Sequence, residues 1–174
     1  MKRTHTCGQL NKKDIGKEAV LCGWLHSRRD HGGLIFVDLR DRYGVTQIVI
    51  DSEKDTKIHG LASSIKSEYV LAVKGKVQKR PKGTENPKIP TGEIEVLVDK
   101  LEVINVSKTP PFEISEYSSV SEEARLQYRF IDLRRTEVQK KLFLRHKISK
   151  SRAPSGVDFV KMGVSTSIKP FLSK

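Results

Sequence analysis

A small all-β barrel of five strands, with one helix between the third and fourth strands and a short helical segment after the barrel, is the fold class predicted by the 174-residue sequence. Three observations predict it. Strand-like runs separated by Gly-, Asp- and Pro-containing turns recur through residues 19–105. One stretch, Asp55 to Lys66, carries helical instead of strand periodicity. At Thr109-Pro110-Pro111 the composition shifts, because prolines fix φ and remove backbone donors, and helix-starting signals follow.

The first strand is AVLCGWLHSR, Ala19 to Arg28, and after Asp30 the turn His31-Gly32-Gly33 leads into LIFVDLRD, a hairpin pattern. Asp41-Arg42-Tyr43-Gly44 supplies the next turn, and VTQIVID returns as a third strand. In the helical stretch Ile58, Leu61, Ala62 and Ile65 fall at i, i+3, i+4 and i+7, a one-sided apolar stripe despite Gly60 within it. EYVLAVKGKVQKR is the fourth strand, Pro81 to Gly92 a loop, and EIEVLVDKLEVIN the fifth strand. Three strands, a helix and two strands is the order of the OB-fold, a partly open barrel whose sheet face and loops bind oligonucleotides. Other small β domains share that order, so the pattern alone leaves them open.

Beyond the prolines, Glu113 to Ser121 is polar and acidic and reads as a hinge. Ser119 with Glu122, and Thr136 with Gln139, have capping-box spacing, so helices are predicted to begin near Ser121 and Glu137. From Arg152 onward no periodicity is sustained, and that tail is expected to be poorly ordered. The predicted division is residues 1–108 for the barrel, 109–121 for the hinge and 122–174 for the start of a second domain, with an atypical tail from about residue 151.

Net charge is +12, and an excess of that size favours a polyanionic partner, nucleic acid or an anionic membrane surface, over a charge that serves only solubility. No apolar run approaches the ~20 residues a bilayer span needs. The start, Met1-Lys2-Arg3-Thr4-His5-Thr6, leads into no apolar signal segment, so the expectation is a cytoplasmic protein with no membrane partner. Cys7 and Cys22 lack metal-ligand spacing and read as small buried apolar residues in a reducing compartment. The five histidines form no HxxxH or HExxH pattern, which leaves a zinc hydrolase unsupported. No phosphate-cradling glycine loop, nucleophile elbow or triad is present, so no catalytic residue and no metal site is assigned.

Side chains alternate along the second strand, which puts Ile35, Val37 and Leu39 on the core face and Leu34, Phe36, Asp38 and Arg40 on the other. A large aromatic on the wet face suits base stacking; the other reading is that a bulge or a covering loop buries Phe36 as ordinary core. Arg29 at the end of the first strand and Gln47 in the third flank Phe36 in a meander. A guanidinium fork, an aromatic face and a carboxamide together suit single-stranded RNA, whereas taken singly Arg28, Arg29 and Gln47 read as solvated surface. The basic loop from Gln78 to Lys88 either tracks a phosphate backbone or is a solvated charge run.

Cys7-Gly8-Gln9-Leu10, Leu21-Cys22-Gly23-Trp24, Arg28 through Phe36, Asp38-Leu39-Arg40-Asp41, Thr91 through Val96, and Tyr128 through Arg135 resemble bacterial aspartyl-tRNA synthetases almost continuously from about Arg3 to about Lys150. The resemblance implies the N-terminal part of such an enzyme, truncated, with an OB-fold that binds the tRNA anticodon stem-loop. It implies that Arg29, Phe36 and Gln47 contact the anticodon, with the ring on the central uridine, and that Arg80 and Glu95 lie close by. His31 and Gly83 occur in the versions that also charge the asparagine tRNA, which implies a role in tRNA specificity. The complete enzyme would activate aspartate with ATP and Mg²⁺ and act as a homodimer. The resemblance places its active-site motifs beyond residues 122–174, read as an incomplete start of the class II catalytic domain, so this chain alone is expected to be inactive and to hold no cofactor. After Lys150 the dimer-forming motif of that family is replaced by DFVKMGVSTSIKPFLSK, which weakens the dimer implication for this chain. A sequence-tolerant single-strand-binding OB protein is the alternative.

Overall fold

Ile35, Val37 and Leu39 are fully buried while Phe36, Asp38 and Arg40 between them are half-buried, so the strand Leu34–Arg40 has one apolar face that must be covered. Curling the sheet into a barrel covers it. The computed structural model of the chain describes residues 1–114 and 120–152. They divide into two units, Met1–Pro110 and Pro111–Lys174.

In the first unit β1 (Glu18–Asp30), β2 (Leu34–Arg40) and β3 (Val45–Asp51) form the meander, α1 (Thr56–Ser64) follows, and β4 (Val70–Lys79) and β5 (Ile94–Asn105) complete a closed barrel in the order β1-β2-β3-β5-β4. This is the OB-fold expected from the sequence. The long β1 serves two neighbours: Glu18 to Trp24 pairs with β4, and Trp24 to Asp30 pairs with β2, with an irregularity between Leu25 and Ser27 that bends the strand between them. Closure is made by a short parallel contact of β3 with β5, Ile48 opposite Val96 and Val49 opposite Leu97.

The interior is hydrocarbon, with Leu21, Leu25, Leu39, Ile48, Ile50, Leu71 and Ile94 almost completely shielded. Burial of each such side chain is worth about 1.5–3 kcal/mol relative to leaving it in water. Helix α1 adds to the same core through Ala62 in the helix and Ile65 at its end. It starts where Asp55 accepts hydrogen bonds from the N–H groups of Lys57 and Ile58. The turn between β2 and β3 is held by Asp41, whose Oδ1 accepts from the N–H groups of Tyr43 and Gly44 and whose Oδ2 accepts from that of Cys7. Here two backbones touch: a Cβ on Gly44 would lie 2.7 Å from Gly8 Cα, so this crossing needs glycine. Cys7 is buried and Cys22 half-buried, both are free thiols, and burial pushes the Cys7 thiol far above its ordinary range.

The second unit holds α2 (Glu122–Gln127), α3 (Arg129–Asp132) and α4 (Thr136–Arg152), with Phe112, Ile114 and Ile131 as its small apolar cluster. The cap of α2 is Ser121, whose hydroxyl accepts from Ala124 N–H; Ser119 lies outside the described residues. Thr136 does not act as a cap, because Gln139 N–H already bonds to the Arg135 carbonyl and places Thr136 inside the helix. α3 has no counterpart in the sequence reading. It is one turn pinned by charge: the buried Asp132 accepts from Arg129 at 2.6 Å and Arg135 at 3.2 Å. α4 runs to Arg152, the first residue of the stretch expected to be poorly ordered; residues 153–174 lie outside the described residues. Among the described residues no helix is long and apolar enough to cross a membrane.

Candidate nucleic-acid interface

The outer face of the barrel at β2, β3 and β5 gathers polar side chains around one ring. Phe36 lies opposite Arg29 on β1 and Val49 on β3, is only half-buried, and has no place in the apolar core. Its ring meets the exposed His31 edge-on at 5.5 Å between centroids. His31 is carried by the β1–β2 turn, whose shape is set by Gly32 at φ +75° and by Asp30, which accepts from Gly32 N–H. That turn is tied to α1, since His59 Nε2 lies 3.0 Å from the Gly32 carbonyl and Arg28 donates to the carbonyls of Ala62 and Ser63. Arg28, read from the sequence as turn surface, thus satisfies the end of a helix.

Beside the ring runs a continuous set of hydrogen bonds. Arg29 Nη2 donates to Gln47 Oε1 at 3.1 Å, and Gln47 Nε2 donates to Glu95 Oε2 at 2.9 Å. Gln78 Nε2 donates to the other Glu95 oxygen at 2.8 Å. Asp38 accepts from Ser27 at 2.6 Å and faces Arg29 at 3.4 Å. Gln47 and Glu95 are 5% and 3% exposed, which a carboxamide and a carboxylate tolerate only when their polar atoms are paired. The strands set these meetings: Gln47 is paired with Asp38 across β2–β3, Gln78 with Glu95 across β4–β5, and the parallel contact at Ile48 and Val96 brings Gln47 next to Glu95.

Arg80 follows β4 and is 5% exposed, so it is not part of a solvated basic run. Its Nε donates to the Ile94 carbonyl at 3.0 Å and Nη1 to that of Thr84 at 3.4 Å, while Nη2 is buried with no hydrogen-bond partner. Burial lowers the pKa of the Arg80 guanidinium, an effect that the carboxylates of Glu95 and Asp38 oppose and the charge of Arg29 reinforces. Gly83 stands apart from this network in the exposed loop beyond Arg80. It has φ +90°, which disfavours any side chain there, and its N–H donates to Glu85. Lys79, Lys82 and Lys88 around it are exposed.

The structure therefore brings Arg29, Phe36, Gln47 and Glu95 together, with His31 against the ring and Arg80 close enough to Glu95 to feel its charge. Gln78, Asp38 and Ser27 belong to the same network; the sequence reading put Gln78 at the start of the basic loop as well as in the fourth strand, whereas it lies in β4, and gave Asp38 and Ser27 no contact at the site. The Asp38 signal was available, since it shares a strand face with Phe36. For Gln78 there was none, because the β4–β5 register contains two shifts that no turn motif announces. Among the described residues no group of three or more His, Cys, Asp or Glu is placed to hold a metal ion.

A half-exposed ring, a guanidinium and ordered carboxamides on one wall of an OB barrel are the kinds of group that nucleic-acid-binding modules of this fold present. The barrel belongs to that class: residues 19–104 match the family described as OB-fold nucleic acid binding domain. More particularly, the chain is homologous to aspartate–tRNA(Asp/Asn) ligases. It is 55% identical over 148 residues to the one from Desulfatibacillum aliphaticivorans, which covers 85% of this chain and 25% of that protein. With the one from Aquifex aeolicus it is 46% identical over 173 residues, 99% of this chain and 28% of that protein, an alignment that runs past Lys150. The chain thus spans about a quarter of the length of the curated relatives it matches. Among solved structures, asparaginyl-tRNA synthetase from Pyrococcus horikoshii complexed with asparaginyl-adenylate superposes with a TM-score of 0.66 at 26% identity, over 87% of this chain and 35% of that one.

Proposed function

We propose that the barrel is the anticodon-binding domain of an aspartate–tRNA ligase and that the outer wall at Phe36 reads the anticodon loop. The observation that carries this reading is the pairing of a half-exposed ring with a pre-ordered polar network, Arg29 to Gln47 to Glu95, directly beside it. A splayed base stacks on Phe36, Arg29 presents its exposed guanidinium edge to a base or phosphate, and Gln47 and Glu95 face the Watson–Crick edges. Because both ends of the Gln47 amide are already engaged, a base that bonds to it exchanges with Arg29 or Glu95 and does not fill an empty position.

His31 and Gly83 are assigned to the choice between aspartate and asparagine tRNAs, since the relatives' names carry both and His31 packs on the stacking ring. The complete enzyme would join aspartate to tRNA with ATP and Mg²⁺, as a homodimer in the cytoplasm, with residues after the barrel opening its catalytic domain.

Binding of an anticodon stem-loop tests the reading. Phe36→Ala is expected to cost about 1–3 kcal/mol of affinity while the melting temperature stays near wild type, because the ring lies outside the core. Undiminished affinity of that variant would remove the stacking role. Equal binding of a poly-pyrimidine strand and the stem-loop by the wild-type chain would instead support a sequence-tolerant single-strand binder.

A further inference from the structure

Glu95 is held from both sides. In the barrel order β5 lies between β3 and β4, so a side chain on its outer face has one neighbour from each. Gln47 of β3 donates to Oε2 and Gln78 of β4 donates to Oε1, at 2.9 and 2.8 Å. The two donors are not equivalent. Gln47 is fixed in turn by Arg29 at its own oxygen, and it belongs to the surface already assigned to RNA. Gln78 is half-buried at the rim, directly across from Glu95 in the β4–β5 register, and the bond it makes through its amide group is the one to that carboxylate.

The two oxygens of a carboxylate turn together about Cγ–Cδ. The Gln47 bond to Oε2 restrains that torsion from one side, and the Gln78 bond to Oε1 narrows it from the other, so the plane of the group is held more tightly than by either donor alone. Each oxygen has two lone-pair directions and the amides take one on each; because Glu95 is 3% exposed, a base edge reaches the remaining directions only by displacing what covers them. A carboxylate is acceptor-only, so such a group selects a base edge that offers N–H donors and rejects one that offers acceptors. The selectivity depends on the plane being fixed before the base arrives, since an unordered acceptor can turn toward whichever donor is present.

We propose that Gln78 is a specificity-determining positioning residue, which orients the Glu95 carboxylate for base discrimination without itself being required for RNA affinity. This inference rests on the anticodon-reading function proposed above. Gln78→Met preserves length and apolar shape but removes the donor, Gln78→Glu replaces the donor by a second carboxylate facing Glu95, and Gln78→Lys restores a donor.

The experiment uses the full chain and stem-loops in which each anticodon base is changed in turn, with the melting temperature of each variant measured in parallel. For Gln78→Met the affinity ratio between cognate and changed loops is expected to fall about five- to tenfold at one anticodon position and to stay constant at the others, the size of one hydrogen bond's contribution. Gln78→Glu falls at least as far at the same position, and Gln78→Lys recovers most of the ratio. An unchanged ratio in Gln78→Met, with wild-type discrimination intact, overturns the positioning role. A loss spread evenly over all three positions, in step with a lowered melting temperature, overturns it too and makes Gln78 a stability residue. A wild-type chain that fails to discriminate at any position overturns the anticodon reading itself, and the inference with it.

Discussion

On the inner side of β3, Ile48 and Ile50 are shielded by hydrocarbon; on the outer side of the same strand Gln47 is shielded almost as completely, at 5% exposure, by an arginine and a carboxylate. Equal burial thus arises from opposite chemistry. Inside, apolar area leaves water and any side chain of similar volume and polarity would serve. Outside, each polar atom replaces a water by one named partner, so the net gain in stability is small while the geometry is tightly specified. The inner wall holds the fold together, and the outer wall holds donors and acceptors in fixed directions.

The largest effect that separates the two walls is expected at Leu39, fully buried on the inner side of β2. Leu39→Ala should cost about 2–5 kcal/mol of unfolding free energy, because the lost transfer energy is joined by that of the cavity left behind. Denaturant titration measures it. Among the molecules that remain folded, preference between cognate and changed anticodon loops should be unaltered. A shift in that preference would mean that the core and the recognition wall are mechanically coupled and do not act independently.

On the outer wall the corresponding change is Glu95→Leu. It removes the acceptor for both Gln47 Nε2 and Gln78 Nε2, and it takes away the negative charge that helps sustain the buried Arg80 guanidinium. Leaving buried donors unmade costs about 1–3 kcal/mol, less than the cavity at Leu39. Binding should respond the other way round, with discrimination at one anticodon position lost. If Glu95→Leu lowers stability and leaves base preference untouched, the network is only a seam between strands.

The two walls were also unequally legible in the sequence. The inner wall follows from a period of two along single strands, and Ile35, Val37 and Leu39 are buried as that period requires. The order of elements was readable for the same reason, since each strand and α1 announces itself locally through turns and apolar spacing. The outer wall is a property of pairs of strands. Gln47 meets Glu95 only because β3 and β5 close the barrel through two parallel pairs, and Gln78 meets Glu95 only through a register with two shifts. Likeness to a family had to supply Arg80 and Glu95, and it gave no sign that Arg80 is buried. The Thr136 spacing located the start of α4 to within a residue although Thr136 is its first helical residue and not its cap, whereas α3 is held by the Asp132 charge cluster and not by periodicity.

The smallest expected effect lies outside both walls, in the loop after β4. Lys82 is exposed and makes no contribution to core or network, so Lys82→Ala should leave the melting temperature within experimental error. If the loop follows the RNA backbone, that ammonium displaces about one condensed counterion, and the slope of log affinity against log salt should become shallower by about 0.7 for a single-stranded contact. The loss would be the same for cognate and changed loops, because a phosphate contact carries no base information. Titrations at a series of salt concentrations decide it. An unchanged slope makes the Lys82 charge a solvated one, whereas a loss confined to one anticodon base would extend the recognition wall into this loop and erase the boundary between attraction and reading.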